Sequence, residues 1–215
     1  MSNGTFDFNE FISESKAVLT DPKAYFLTMK TTGGISEPLI KALIYGAIAG
    51  VFGLLWGILN MGAGGSMFGG SSLGLMAFFG NVFASIIGLF VGAVILLVIS
   101  SICKGNTDFE ANARVTAAIM VVFPITAFFG FAGSINLYLG LVISLAIQLY
   151  ALWLLYNGLV YALKTKPETT KIVMYVLVAL FFLVTIAGLG AKSRADKFMN
   201  EYNNSDMKEL MRDME

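Results

Sequence analysis

The chain has 215 residues, 57% hydrophobic and 13% charged, with mean hydropathy +0.77 and 14 basic residues against 14 acidic ones. A soluble domain carries about 25% charged residues, so this composition does not describe a water-soluble globule. The balanced charge shows no basic patch for nucleic acid. The absence of histidine removes the commonest metal ligand and general base, and the single cysteine, Cys103, excludes an intramolecular disulfide.

The first ten residues are polar and acidic with no basic n-region, so no signal peptide is expected and insertion should use internal spans. Residues 1–38 form an amphipathic segment in which Phe8, Phe11, Ile12, Val18 and Leu19 recur at roughly helical spacing. Asp21-Pro22 is an N-cap followed by a first helical position, and the helix it opens would set Tyr25, Phe26 and Met29 on one face. Two readings are open: a helix lying in the membrane interface, or one packed on the end of the protein's own bundle.

From Pro38 to Gly190 every Lys, Arg, Asp and Glu sits between apolar runs or at their edges. An ionised group at the bilayer centre costs several kcal/mol, and about 20 apolar residues cross the hydrocarbon, so the runs are expected spans. The first is about Leu39–Asn60 and carries Gly46, Gly50, Gly53 and Gly57, whose four-residue spacing lets helix backbones approach closely. Residues 61–74 are Gly/Ser-rich and uncharged. They lack the strand, helix and lysine of a phosphate-binding loop and are expected to be a flexible connector. The second span, about Leu75–Ile102, has Ala84, Gly88 and Gly92 as another small-residue stripe.

The join 103–114 carries Lys104, Asp108, Glu110 and Arg114. Glu110 and Arg114 are one helical turn apart and should pair, either as an anchor for the helix start or as a polar contact for a partner or headgroup. The third span, about Val115–Ala132, contains Pro124, which should kink it. A tight turn at Gly133-Ser134 leads to the fourth span, about Ile135–Leu163. There Asn136, Gly140, Ser144 and Gln148 recur every four residues, with Tyr150, Trp153, Asn157 and Tyr161 as a second stripe. The first stripe is either interhelical hydrogen bonding or the wall of a substrate path. The join Lys164–Lys171 is basic, the fifth span is about Ile172–Gly190, and Ala191–Glu215 is a polar tail.

The basic residues set the orientation. With the N-terminus in the cytoplasm, the lysines of the N-terminal segment, Lys41, Lys104, Arg114, Lys164, Lys166 and Lys171 all lie inside, while the joins 61–74 and 133–134 are uncharged. The tail's Lys192, Arg194 and Lys197 would then be outside.

The chain therefore reads as an all-α polytopic integral membrane protein: an amphipathic segment at 1–38, five transmembrane helices within 39–190 and a polar tail at 191–215. With no histidine, cysteine pair or paired intramembrane acids, no enzymatic site, cofactor or metal is expected. The leading expectation is a non-enzymatic protein that organises the membrane or binds partners, these being lipids, a second copy or another membrane protein. The alternative is a carrier or channel for a lipid or weakly charged small substrate. The candidate functional positions are Glu110, Arg114, Pro124, Asn136, Ser144, Gln148 and Asn157, and the candidate packing glycines are Gly46, Gly50, Gly53, Gly57, Gly88 and Gly92.

The order of certain residues resembles the YIP family of five-span membrane proteins, named for interaction with Ypt/Rab GTPases, and in particular its short prokaryotic branch. The matching residues are Asp21-Pro22 with Tyr25-Phe26, Pro38-Leu39, Lys104-Gly105, Phe109, Arg114-Val115, Pro124, Trp153, Gly158-Leu159, Lys164 and Lys171, within about residues 15–190. Phe123 stands near the place where family members often have an aromatic residue before the proline, and the Gly-rich join at 61–74 is peculiar to this chain. The resemblance implies five helices, a cytoplasmic N-terminus, an exterior C-terminus and, for a prokaryotic member, residence in the bacterial inner membrane. In eukaryotic relatives it implies vesicle traffic, membrane shaping and binding of prenylated GTPases. Those relatives have a long N-terminal region mostly missing here, so the GTPase role does not transfer.

Overall fold

The computed structural model describes residues 7–59, 61 and 71–188, and these are helices joined by short loops. The chain runs through α1 (Phe8–Thr20), α2 (Pro22–Thr28), α3 (Ser36–Ile58), α4 (Ser71–Ile102), α5 (Phe109–Ile119), α6 (Val122–Phe128), α7 (Ala132–Ile135) and α8 (Leu137–Asn157). A last helix, α9, covers Pro167–Gly188. Five helical segments among the described residues are long and apolar enough to cross a membrane: α3, the apolar part of α4, the run α5–α7, α8 with its continuation, and α9. By contact the chain divides at Val173/Met174, within α9.

The cap read from the sequence, Asp21, is present, and Asp7 and Asp108 are two more. Asp7 accepts from the backbone N–H of Asn9 and Glu10, Asp21 from Ala24, with Pro22 at the first helical position, and Asp108 from Ala111. α3 begins at Ser36, three residues before the expected start, because the first helical N–H groups have no intrahelical acceptor and Pro38 is tolerated there. The expected connector 61–74 is shortened, since α4 already begins at Ser71; residues 62–70 lie outside the described set. α4 has 32 residues. At 1.5 Å per residue this is about 48 Å, longer than a hydrocarbon core of about 30 Å.

The third span is broken, as Pro124 requires. The break falls at Met120–Val121, between α5 and α6, because the proline ring displaces the carbonyl four residues back and offers it no N–H. Met120 O instead accepts from Phe123 N at 2.9 Å, an i−3 bond that tightens the turn. The span ends later than expected. Gly133 and Ser134 are helical, and the chain reverses at Asn136, whose extended backbone (φ −154°, ψ 128°) starts α8. α8 passes into a single wide turn over Gly158–Ala162. α9 starts at Pro167, so the fourth join is shorter than the expected 164–171 and Lys171 lies in a helix.

α3 and α4 pack closely where their glycines and small residues meet. A β-carbon on Gly46 would collide with the Ser85 side chain, and one on Gly50 would sit 2.8 Å from the Phe78 ring and 3.0 Å from its carbonyl oxygen. Further along, Ala42, Ala49, Leu89, Ala93 and Leu96 are buried. In lipid this close approach supplies the dispersion that holds two apolar helices together, because the tails are as apolar as the helices.

Overpacking a tight helix crossing costs roughly 1–3 kcal/mol. Gly50→Leu is therefore expected to lower the unfolding temperature of the lipid-reconstituted chain, read by a thiol-reactive dye at the buried Cys103. Gly80→Leu, at a glycine with no neighbour within 4 Å of an added β-carbon, should leave it unchanged. Equal effects of the two would contradict this packing.

Candidate functional site: a charge cluster at one end of the helices

Four charged residues near the starts of α3 and α5 converge on one place. Glu110 and Arg114 lie one turn apart near the start of α5, and Arg114 Nε donates to Glu110 Oε1 at 3.0 Å. The same guanidinium donates from Nη1 to Glu37 Oε2 of α3 at 2.7 Å and from Nη2 to the Gly34 carbonyl at 3.0 Å. Gly34 returns its own N–H to Glu110 Oε1. Gly33 (φ 132°) and Gly34 (φ 96°) hold conformations that side-chain-bearing residues rarely adopt, and a β-carbon on Gly33 would lie 2.8 Å from Arg114 Nη2. Two consecutive glycines thus let the chain fold over the guanidinium.

Glu37 links this group to a second one. Its Oε1 is 2.7 Å from Lys41 Nζ, which also lies 2.6 Å from Glu14 Oε2 of α1. Arg114 and Lys41 have side chains only 6% and 10% exposed, while Glu37 keeps 41%. Three carboxylates thus surround two buried cations, joining α1, the 33–34 loop, α3 and α5 in one chain of charge-assisted bonds. Beside it Ser15 and Tyr45 share a hydrogen bond of 2.7 Å, and the rings of Phe11 and Tyr45 are 5.1 Å apart. Tyr25 is buried nearby. Burial, followed by the negative charge of Glu14, pushes its hydroxyl well above the ordinary tyrosine range, so it remains a neutral phenol.

α1 and α2 therefore pack on the helix bundle. Phe11, Val18, Tyr25 and Phe26 are buried, while Phe8, Ile12 and Leu27 face outward. Tyr150 of α8 donates to the Leu19 carbonyl at 2.5 Å. Gly158 is where three elements touch: a β-carbon there would meet Val115 of α5 at 2.6 Å and the Phe26 ring at 3.5 Å. Phe26, Val115 and Gly158, three of the residues on which the resemblance rests, are thus neighbours in space.

The loops 103–108 and 163–166 meet at this end too. Asn106 N donates to Leu163 O at 2.8 Å and Lys166 N to Cys103 O at 2.9 Å. Asn112 is fully buried and donates to the carbonyls of Asn106 and Asp108, holding the turn. Lys104 and Lys164 have positive φ (58° and 55°) and are exposed.

The other candidate positions are scattered. Pro124 sits in α6 and sets the break at Met120. Asn136 is the N-cap of α8, its Oδ1 accepting from Tyr138 N and Leu139 N, so its side chain serves the backbone. Asn157, at the far end of α8, is buried and donates to Trp153 O at 2.7 Å. Ser144 is exposed and Gln148 half-exposed in the middle of α8. Gly46 and Gly50 face α4, and Gly92 faces Thr116, with 2.8 Å from an added β-carbon to its methyl group. Gly88 only grazes Phe123, at 3.9 Å, and Gly53 and Gly57 are half-exposed. Sequence reasoning missed Glu14, Gly33, Gly34, Glu37 and Lys41. The available signals were the Glu37/Lys41 spacing, identical to that of Glu110/Arg114, and the Gly33-Gly34 pair.

This is a five-span, all-helical integral membrane protein with an N-terminal helical pair fastened to its bundle. A family model described as the Yip1 domain matches residues 16–189, most of the chain, and the protein belongs to that family. No curated protein and no solved structure matches the chain.

Removing one partner of a buried ion pair costs about 3–5 kcal/mol, lessened here by the water that still reaches Glu37. Arg114→Met should therefore lower the unfolding temperature clearly and raise protease cleavage within α1 and the 29–35 loop. Arg114→Lys should recover only part of the loss, because one ammonium cannot serve Glu37, Glu110 and the Gly34 carbonyl together. Wild-type stability of Arg114→Met would remove the cluster's structural importance.

Proposed function

We propose that this protein is a non-enzymatic component of the membrane that organises the bilayer or binds protein partners through its helices. The observation that carries this reading is the charge cluster. Glu14, Glu37, Lys41, Glu110 and Arg114 are paired with one another and fasten helices together, so none stands as a free base or nucleophile. The chain has no histidine, and its one cysteine is buried. The outward Phe8, Ile12 and Leu27 suit a helical pair held against the membrane surface.

In this reading residues 1–38 are a cytoplasmic amphipathic segment, 39–190 the five-helix membrane domain and 191–215 a polar tail on the opposite side. The gathering of Lys41, Lys104, Arg114, Lys164 and Lys166 near the ends of α3, α4, α5 and α8 supports a cytoplasmic location for that end, by the bias of basic residues toward the cytoplasm. The rival reading, a carrier for a lipid or weakly charged solute, draws on the mid-span Ser144 and Gln148 and on the break at Pro124.

Reconstitution into phospholipid vesicles separates the two. The expected result is altered vesicle curvature or stable protein association, with no protein-dependent movement of fluorescent phospholipids or small neutral solutes. Saturable flux abolished by Gln148→Leu would contradict the proposal and establish the carrier.

A further inference from the structure

Two helices that reach the loop end of the bundle stop in the same way. At the end of α4 the N–H of Gly105 donates to Ser100 O at 2.8 Å and that of Lys104 to Ser101 O at 3.1 Å. At the end of the α8 run Leu163 N donates to Gly158 O at 3.0 Å and Thr165 N to Leu159 O at 3.1 Å. Such an ending needs positive φ at the residue just past the helix, and glycine is the usual residue there. Here both are lysines, Lys104 (φ 58°) and Lys164 (φ 55°). A β-carbon makes this conformation costly, and among the described residues only these two non-glycines hold it. Gly105 follows Lys104 directly but is needed for a different contact. A β-carbon on it would collide with the Thr165 side chain and lie 2.8 Å from Leu163 O, so it lets the two loops touch.

The loops form one fixed platform. The bonds from Asn106 N to Leu163 O and from Lys166 N to Cys103 O bracket Lys104 on one side and Lys164 on the other. Beneath them Ser100 and Asn112 both donate to Asn106 O, and Thr165 and Thr170 share a hydrogen bond of 2.7 Å, all four being buried. Lys104, Lys164 and Lys166 are exposed above this layer. Lys23 of α2 stands beside it, with Nζ 5.5 Å from the centre of the Tyr161 ring. Two acids flank the bridge. Asp108 Oδ2 accepts from Ala111 N as the cap of α5, and Glu168 lies in the first turn of α9, where a negative charge suits the helix end.

We infer that the bridged loops 103–106 and 163–166 are a binding site for the headgroup phosphate of anionic phospholipids, held by Lys104, Lys164 and Lys166. This rests on the membrane-organising reading above and names the lipid class. The spans end at Ile102 and Ala162, so Lys104 and Lys164 each stand two residues past the apolar run. That is the depth of the headgroup layer, which lies outside a hydrocarbon core of about 30 Å. A lysine ammonium carries three donors and no acceptor, and a phosphodiester offers acceptors only. A zwitterionic headgroup brings its own cation to that phosphate and repels the lysines, whereas an anionic one does not. A helix dipole alone does not call for lysines at these two positions, because a cation anywhere in the last turn serves it without positive φ.

The test uses the full chain in phosphatidylcholine vesicles, with Cys103→Ser as background and a donor dye on Thr107→Cys, an exposed position beside the bridge. Energy transfer is read to trace phosphatidylglycerol or phosphatidylcholine carrying the acceptor on an acyl chain, which leaves the headgroup free. Phosphatidylglycerol should give the higher transfer. Its preference should fall by up to about 5-fold for each bridge lysine removed and shrink in high salt. Lys104→Gly with Lys164→Gly should remove most of the preference and leave the unfolding temperature equal or higher, because glycine adopts positive φ freely. Lys104→Arg with Lys164→Arg should keep the preference. So should Lys16→Gln with Lys30→Gln, which removes the same charge from exposed positions outside the bridge. No preference for phosphatidylglycerol, an undiminished preference in the glycine variant, or an equal loss in the Lys16 and Lys30 variant would overturn the inference. So would a lower unfolding temperature for the glycine variant, which would assign the lysines to the fold. If the lipid preference is missing while vesicle curvature or association with another protein persists, only this inference falls and the broader function stands.

Discussion

Hydrocarbon offers no hydrogen-bond partners, and this fold is arranged around that constraint. Within the spans, hydroxyls and amides return to carbonyls of their own helix, usually one turn back, as Thr116, Thr126, Asn157 and Thr185 do. Ionised groups cannot be satisfied so cheaply. They are held at helix ends, and the two that reach furthest into helical segments, Lys41 and Arg114, are surrounded by Glu14, Glu37 and Glu110. A cation paired in this way can be nearly dry without being unsolvated, because carboxylates and the Gly34 carbonyl replace water.

The cluster also explains how a short amphipathic segment holds a fixed place. α1 and α2 are 13 and 7 residues long, too short to be stable helices in isolation. Their caps fix where they begin, but their position comes from outside: Glu14 on Lys41, Ser15 on Tyr45, Leu19 O on Tyr150 and Phe26 against Gly158. Arginine suits the junction better than lysine because its planar fork sends separate N–H groups to Glu110, Glu37 and Gly34.

Much of this was legible in the sequence because its signals are local. Apolar runs gave the five spans, Asp21-Pro22 gave the start of α2, and the Glu110/Arg114 spacing gave their ion pair. Pro124 announced a break, whose position follows from the carbonyl four residues back. The parts that escaped depend on partners distant in sequence. Glu14 and Lys41 are on separate helices, and nothing local says that α1 folds back onto α3. The sequence groups Asn136 with a stripe along α8, because four-residue spacing looks alike for a cap and a face; only the extended backbone at Asn136 distinguishes them. The wide turn at Gly158–Ala162 leaves no mark in hydrophobic periodicity.

The fold depends on alternate crossing of the bilayer, with the loops 103–108 and 163–166 at one end and the reversal at Asn136 at the other. In a Cys103→Ser background, Asn106→Cys, Lys166→Cys and Asn136→Cys, all at exposed positions, can each be challenged with an impermeant thiol reagent from either side of sealed vesicles of known orientation. The expected result is labelling of Asn106→Cys and Lys166→Cys from one side only, with Asn136→Cys labelled only from the other. Labelling of all three from the same side would contradict the crossing pattern and the placement of the charge cluster with it.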